Sequence, residues 1–297
     1  MTAPVTDAGA PGARGDGWVV LLSSLAAFLL VPGTPVVQRI VPIAQTAILL
    51  VPAIAVCTVL GWAAGGPWWL AAAWALLGVA AIVLLPDATS SAAFATLERG
   101  WAVMLVASFG LVSIASSFHT PLHVRALGGL ALALALAVLV LLATHARLVG
   151  VTAVLARDLA TRPKVALPVI YVADGDFRSH ISRTYDAMVA QLPRVGARLF
   201  PSLLSLESLA ALALAWRLHG RISAAQIGQP LGRWRDFRFS DRLVWPLAAG
   251  LMCSVLPGLG ALRLVALNVT VLFGALYVVR WLGSVVAHIH LSRSGAG

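Results

Sequence analysis

The sequence predicts an all-α protein, a polytopic transmembrane helical bundle of about eight spans. Three observations carry that expectation. Hydrophobic residues make up 60% of the chain and charged residues only 11%, against about 25% charged in soluble domains. Long stretches carry no charge, and roughly 20 apolar residues cover a ~30 Å hydrocarbon core. The charges gather in short segments between those stretches. A chain of 297 residues has too small an interior to hide so much apolar surface in water.

Residues 1–16, rich in Ala, Gly and Pro, read as a disordered tail. The first apolar run, Trp18–Val36, has no convincing cleavage site and is expected to stay as span one. Span two is Val41–Trp62, with Pro52 inside it. The uncharged stretch Gly61–Pro67 predicts a tight turn, so spans two and three form an antiparallel hairpin. Span three, Trp68–Leu85, opens on two tryptophans suited to the membrane interface. The loop 86–99 carries Asp87, Glu98 and Arg99; span four is Trp101–Phe118 and span five Ala126–Ala146, completing an N-terminal group of five over 17–146.

The segment 147–198 is the longest polar part. Within it Ile181, Tyr185, Met188, Val189 and Leu192 recur at helical spacing opposite Arg183, Asp186 and Gln191. That spacing predicts an amphipathic helix on the membrane or capping the bundle, ended by Pro193. The final three spans, Leu199–Trp216, Leu243–Leu259 and Leu264–Ala287, fill 199–290. A loop with six arginines and two aspartates separates the first two of them.

The net charge of +10 is almost all arginine, since Lys164 is the only lysine. With the Ala, Gly and Leu excess, this reflects a GC-rich coding sequence. No aromatic–basic interleaving on a soluble face points to nucleic acid; basic loops beside spans orient the chain and meet anionic lipid, so the bilayer is the expected partner. Cys57 and Cys253 lie in apolar runs and indicate neither a disulfide framework nor a metal cluster. With the N-terminus inside, the inner side holds Arg14, Arg125, Arg293 and the six loop arginines, and the outer short loops hold Arg39, Arg99 and Arg263. The eight cations of 147–198 oppose this, but long segments carry less orienting weight, so both termini are expected in the cytoplasm.

The C-terminal third has recognisable features: Phe200-Pro201 opening a span, the arginine-rich return, Asp236-Phe-Arg-Phe-Ser-Asp-Arg-Leu-Val-Trp245, and Asn268, Tyr277 and Trp281-Leu-Gly283-Ser-Val-Val. Over about 195–290 these resemble the YybS-like family of bacterial multi-pass membrane proteins. Ser240 stands where a proline is expected, and Arg280 where a neutral residue is expected. The resemblance implies a bacterial cytoplasmic membrane and a distant likeness to the substrate-binding subunits of energy-coupling-factor transporters. A likeness at the level of fold supplies no site.

Three polar residues inside the C-terminal spans are the candidate substrate-binding set: Glu207, Asn268 and Arg280. An ionisable group at mid-span costs about 2.5–3.5 kcal/mol on insertion scales, so a retained one asks for a reason. Glu207 reads either as a proton, cation or cationic-substrate site or as a protonated carboxyl hydrogen-bonded to neighbouring helices. Arg280 reads either as a snorkelling side chain or as a partner of Glu207, although the rise of ~1.5 Å per residue places the two at different depths. Asn268 suits helix–helix hydrogen bonding.

His119 and His123 have an i, i+4 spacing, but Pro121 stands between them and no third ligand is near; His288 and His290 read as interfacial. No nucleophile elbow, phosphate-binding loop, dinucleotide fingerprint or CxxC occurs, so neither an enzyme nor a cofactor is expected. Two functions follow: a small-molecule binding or transport component relying on other membrane or ATPase subunits, or a non-enzymatic scaffold in envelope assembly or division.

Overall fold

The computed structural model describes residues 40, 43, 45–85, 91–145, 148–162, 175–223, 225–230, 241–258 and 261–294. The expected tail, span one and residues 224 and 231–240 of the arginine-rich loop lie outside these residues. Among the described residues the regular structure is entirely helical, without strands. The helices are α1 Ala47–Ala63, α2 Trp68–Leu84, α3 Ala92–Ala115, α4 Leu122–Ala143, α5 Leu148–Thr161, α6 Gly175–Ile222, α7 Val244–Val255 after a single turn at Asp241–Leu243, and α8 Ala261–Ser294.

Local chemistry sets the boundaries. Gly65 takes a φ of +95°, which only glycine adopts freely, and lets the Gly66 N–H return to Gly61 O at 2.9 Å at the end of α1. The Ser91 hydroxyl caps α3 by accepting from the Phe94 N–H at 3.3 Å. Pro67 and Pro121 hold extended backbone before α2 and α4.

Three antiparallel hairpins, α1–α2, α3–α4 and α7–α8, each close on a glycine. A Cβ on Gly78 would stand 3.3 Å from the Pro52 Cα, one on Gly129 2.8 Å from the Phe109 Cα, and one on Gly250 3.0 Å from the Ala266 carbonyl oxygen. Small residues let helix backbones approach where packing and hydrogen bonds must hold helices together.

The hub is α6, which packs against α1, α4, α5 and α8. Its Ser208 hydroxyl accepts from Trp101 Nε1 at 3.0 Å, and its Trp216 meets Phe109 edge-on at 6.4 Å. Those contacts are eight residues apart on both α3 and α6, so the two helices run parallel and meet through large side chains.

The structure departs from the sequence reading between 147 and 222. One helix of 48 residues runs through both Pro193 and Pro201, so Pro193 does not end a helix and the junction at 198–199 is not a boundary. Proline removes one backbone donor and kinks a helix, but neighbouring helices can satisfy the freed groups and let it continue. Residues 148–161 form α5, whose Leu155 and Leu159 are buried with Phe94 and Ala197, so this part of the polar segment is packed into the bundle. Met188, Arg183, Asp186 and Gln191 are exposed, while the side chains of Ile181, Tyr185 and Val189 lie outside the described set. Likewise, α3 begins nine residues before the expected start of span four and takes Glu98 and Arg99 into the helix.

Among the described residues three helical stretches are long and apolar enough to cross a membrane: Ala92–Ala115, Leu122–Ala143 and the Asp186–Ile222 part of α6. Four shorter apolar stretches accompany them: Ala47–Ala63, Trp68–Leu84, Val244–Val255 and Leu262–Val278.

Candidate functional site

Polar groups gather at two levels along α6. The first is centred on Glu207. Both carboxyl oxygens are buried and neither has a hydrogen-bond partner; the Ile43 backbone amide approaches without reaching hydrogen-bond geometry. Arg162 at the end of α5 and Glu98 on α3 are the charged groups near enough to act on it. Glu98 and Asp158 are themselves buried. Asp158 accepts from the Ser91 N–H at 3.3 Å and pairs with Arg162 at 3.4 Å. The Arg162 guanidinium also lies over the Phe94 ring, 5.5 Å from its centroid. Three helices thus bring three carboxyl groups and one guanidinium into the interior around Phe94, Leu155 and Leu159.

Asn268 joins α8 to α6 close to this level. Its Nδ2 donates to Arg198 O and to Leu264 O, each at 2.9 Å, while its Oδ1 accepts from the Ser202 N–H at 3.0 Å. The side-chain amide is fully used in holding two helices together, the helix–helix role the sequence suggests.

Arg280 is carried by α8, with its side chain outside the described residues. The Asn268–Ser202 contact fixes the register of the two helices. Glu207 is five residues beyond Ser202 and Arg280 twelve beyond Asn268. At ~1.5 Å per residue the backbone levels differ by about 10 Å even if the helices run parallel. The structure therefore brings Glu207 and Asn268 to neighbouring helices, and the helix register does not set Arg280 level with Glu207.

The second level lies at the far end of α6. Arg125, only 2% exposed, donates from Nη1 to Ile227 O at 2.8 Å and from Nη2 to Ser117 O at 2.8 Å and Phe118 O at 3.4 Å. Its guanidinium stands 5.2 Å from the Trp216 ring centroid. Trp216 Nε1 donates to Gln229 O at 3.1 Å, and His219 Nε2 meets Ala225 O at 3.1 Å. The carbonyls of alternate residues 225, 227 and 229 are thereby gripped by three side chains from α4 and α6. Gly228 fits because a Cβ there would stand 2.9 Å from Trp216 and 3.0 Å from Arg125.

Sequence reasoning placed Arg125 in a loop as an orienting cation, and the structure buries it inside the first turn of α4. It also missed Glu98 and Asp158. One signal could have found Glu98: the buried residues Phe94, Glu98, Trp101, Ala102, Leu105 and Phe109 follow one helical stripe that extends ahead of the expected span. His119 lies before the start of α4 and is exposed, so it shares no helix with His123. Among the described residues no group of three or more His, Cys, Asp or Glu could hold a metal ion. Compared with known protein families, curated proteins and solved structures, the chain matches none.

Proposed function

We propose that the protein is a membrane-embedded binding or transport component for a small molecule, with the Glu207 carboxyl as the group that accepts a proton or a cation. The single observation that carries this reading is the burial of both Glu207 oxygens without a hydrogen-bond partner. A polar group left so costs stability, because it has given up water and gained nothing in return. A carboxyl serving the fold alone would be expected to find partners, as Asp158 does.

Among the described residues Glu98 bears on Glu207 with negative charge and Arg162 with positive charge, and Arg162 is also paired with Asp158; a proton or a positive ligand is the class that a carboxylate takes. Membrane location is supported by an inverted surface: Trp68, Leu76, Leu84, Ile114, Trp245 and Val255 are exposed while Ser208, Arg125, Asp158 and Asn268 are buried. Such an apolar exterior suits lipid, not water. We place the chain in a bacterial cytoplasmic membrane with about eight spans and both termini cytoplasmic. The YybS-like resemblance of 195–290 adds the analogy to substrate-binding subunits of energy-coupled transporters. With no nucleotide-binding motif in the sequence, any ATP-driven step belongs to a partner ATPase.

A hydrophobic carbodiimide, which attacks protonated carboxyls inside membranes, tests the reading. Labelling mapped to Glu207 by mass spectrometry, and slowed by small amines, is the expected result. Modification of exposed carboxyls with Glu207 untouched would sink it. Affinity purification in mild detergent tests the coupling separately: an ATPase that stays bound is the predicted companion.

A further inference from the structure

Pro201 weakens a turn of α6 that α8 supports. Pro201 has no N–H and its ring crowds the carbonyl one turn back, so a helix opens around it. The acceptor that Pro201 leaves without its helical donor is Ala197 O, and the next i to i−4 pair, the Ser202 N–H and Arg198 O, lies beside it. Those are the two groups that Asn268 takes: Oδ1 accepts from the Ser202 N–H at 3.0 Å, and Nδ2 donates to Arg198 O at 2.9 Å. The side-chain amide of one helix is inserted into the backbone ladder of another, donor to acceptor and acceptor to donor. An amide can do this because it carries both functions on one planar group. The Ser202 hydroxyl bonds to Leu199 O at 2.8 Å, and the Ser205 hydroxyl bonds to Pro201 O, so other carbonyls of the same turn are also satisfied by side chains. The second donor of Asn268 returns to its own helix at Leu264 O, fixing the side chain against α8.

We infer that Asn268 is a positioning residue: it splices the broken turn of α6 and so ties the bend of that helix, and the Glu207 segment just beyond it, to the α7–α8 hairpin. This deepens the reading of Glu207 as the proton- or cation-accepting group. Glu207 follows Ser202 by five residues, so a change in the bend at 198–202 moves its carboxyl relative to Glu98 and Arg162 on other helices. The hairpin moves as one body with Asn268, because Gly250 of α7 is packed directly on Ala266 and Thr270 of α8. Displacing the hairpin withdraws the amide and releases α6 at its weakest point. Broken helices at membrane depth are tolerated where neighbouring groups re-satisfy the backbone, and they are a recurrent setting for transport sites.

The test is a double-mutant cycle on the full chain in detergent, with Asn268→Ala, Pro201→Ala and the pair, read by the thermal unfolding midpoint. Asn268→Ala alone lowers the midpoint. In the Pro201→Ala background the helix recovers its own ladder, and the same substitution costs less than half as much. Equal losses in both backgrounds would overturn the splice.

A second readout separates geometry from stability: spin labels on cysteines placed at Val195 and Gly220, which straddle the bend. Asn268→Ala broadens or shifts their distance distribution, Asn268→Ala with Pro201→Ala restores a single narrow peak, and Asn268→Asp, which keeps the acceptor and loses the donor, falls between. An unchanged distribution in Asn268→Ala would also overturn the splice. Neither readout involves Glu207 or a ligand, so the splice and the function of the carboxyl fail or stand separately.

Discussion

Arg125 and Glu207 are both buried ionisable groups of the bundle, and their surroundings are opposite. The Arg125 guanidinium has three carbonyl acceptors and an aromatic face, leaving only Nε without a partner. The Glu207 carboxyl has a hydrogen bond on neither oxygen. A buried charge surrounded by acceptors is part of the framework, because removing it orphans everything it holds. A buried carboxyl with no partner contributes nothing to the framework that a neutral group would not. The contrast separates a residue that holds the fold from one the fold tolerates.

The first way to break this comparison is Arg125→Met. It frees the Ile227 and Ser117 carbonyls in an apolar setting, and with buried polar groups costing about 1–3 kcal/mol each when orphaned, a loss of about 3 kcal/mol is expected. Unfolding of the purified protein in detergent checks it. Limited proteolysis should cut near 225–229 at the same time, since that segment loses its central anchor. A variant as stable as wild type would remove Arg125 from the framework.

Next in size is Gly129→Ala, which places a methyl 2.8 Å from the Phe109 backbone and forces α3 and α4 apart. Overpacking costs about 1–3 kcal/mol, and a lower unfolding midpoint with unchanged Glu207 labelling is the predicted pair of results. Trp216→Phe keeps a ring near Arg125 and deletes the bond to Gln229 O; a loss of about 1 kcal/mol is expected. Ser208→Ala strands the Trp101 indole N–H and should cost a similar amount. Both are read by the same unfolding assay, and no loss in either would mean that these bonds form equally well to lipid or water.

Much of the helical order was legible in the sequence. The span expected at Trp68–Leu85 and the helix Trp68–Leu84 agree within a residue, because apolar length, an interfacial Trp pair and the turn expected at Gly61–Pro67 all point the same way, although the helix before it runs on to Ala63. The 48-residue α6 was not legible, because Pro193, Arg194 and Arg198 are local signals for an end, and the groups that override them sit on other helices. Asn268 shows the same limit: its polar character is plain in the sequence, but its partners lie 66 and 70 residues away.

Arg125 was misread because a cation at a span boundary usually faces the interface, and only the fold shows carbonyls converging on it. Glu207 was legible as a candidate because it is the one acidic residue inside an expected span. Its lack of partners is a property of the packing.

The most direct measurement is the unfolding midpoint of Glu207→Gln beside wild type at neutral pH. Glutamine keeps the shape and cannot ionise or exchange a proton, so a group that contributes nothing to the framework predicts an equal or higher midpoint. A drop of the size expected for Arg125→Met would contradict the distinction, and would make Glu207 a second anchor of the fold.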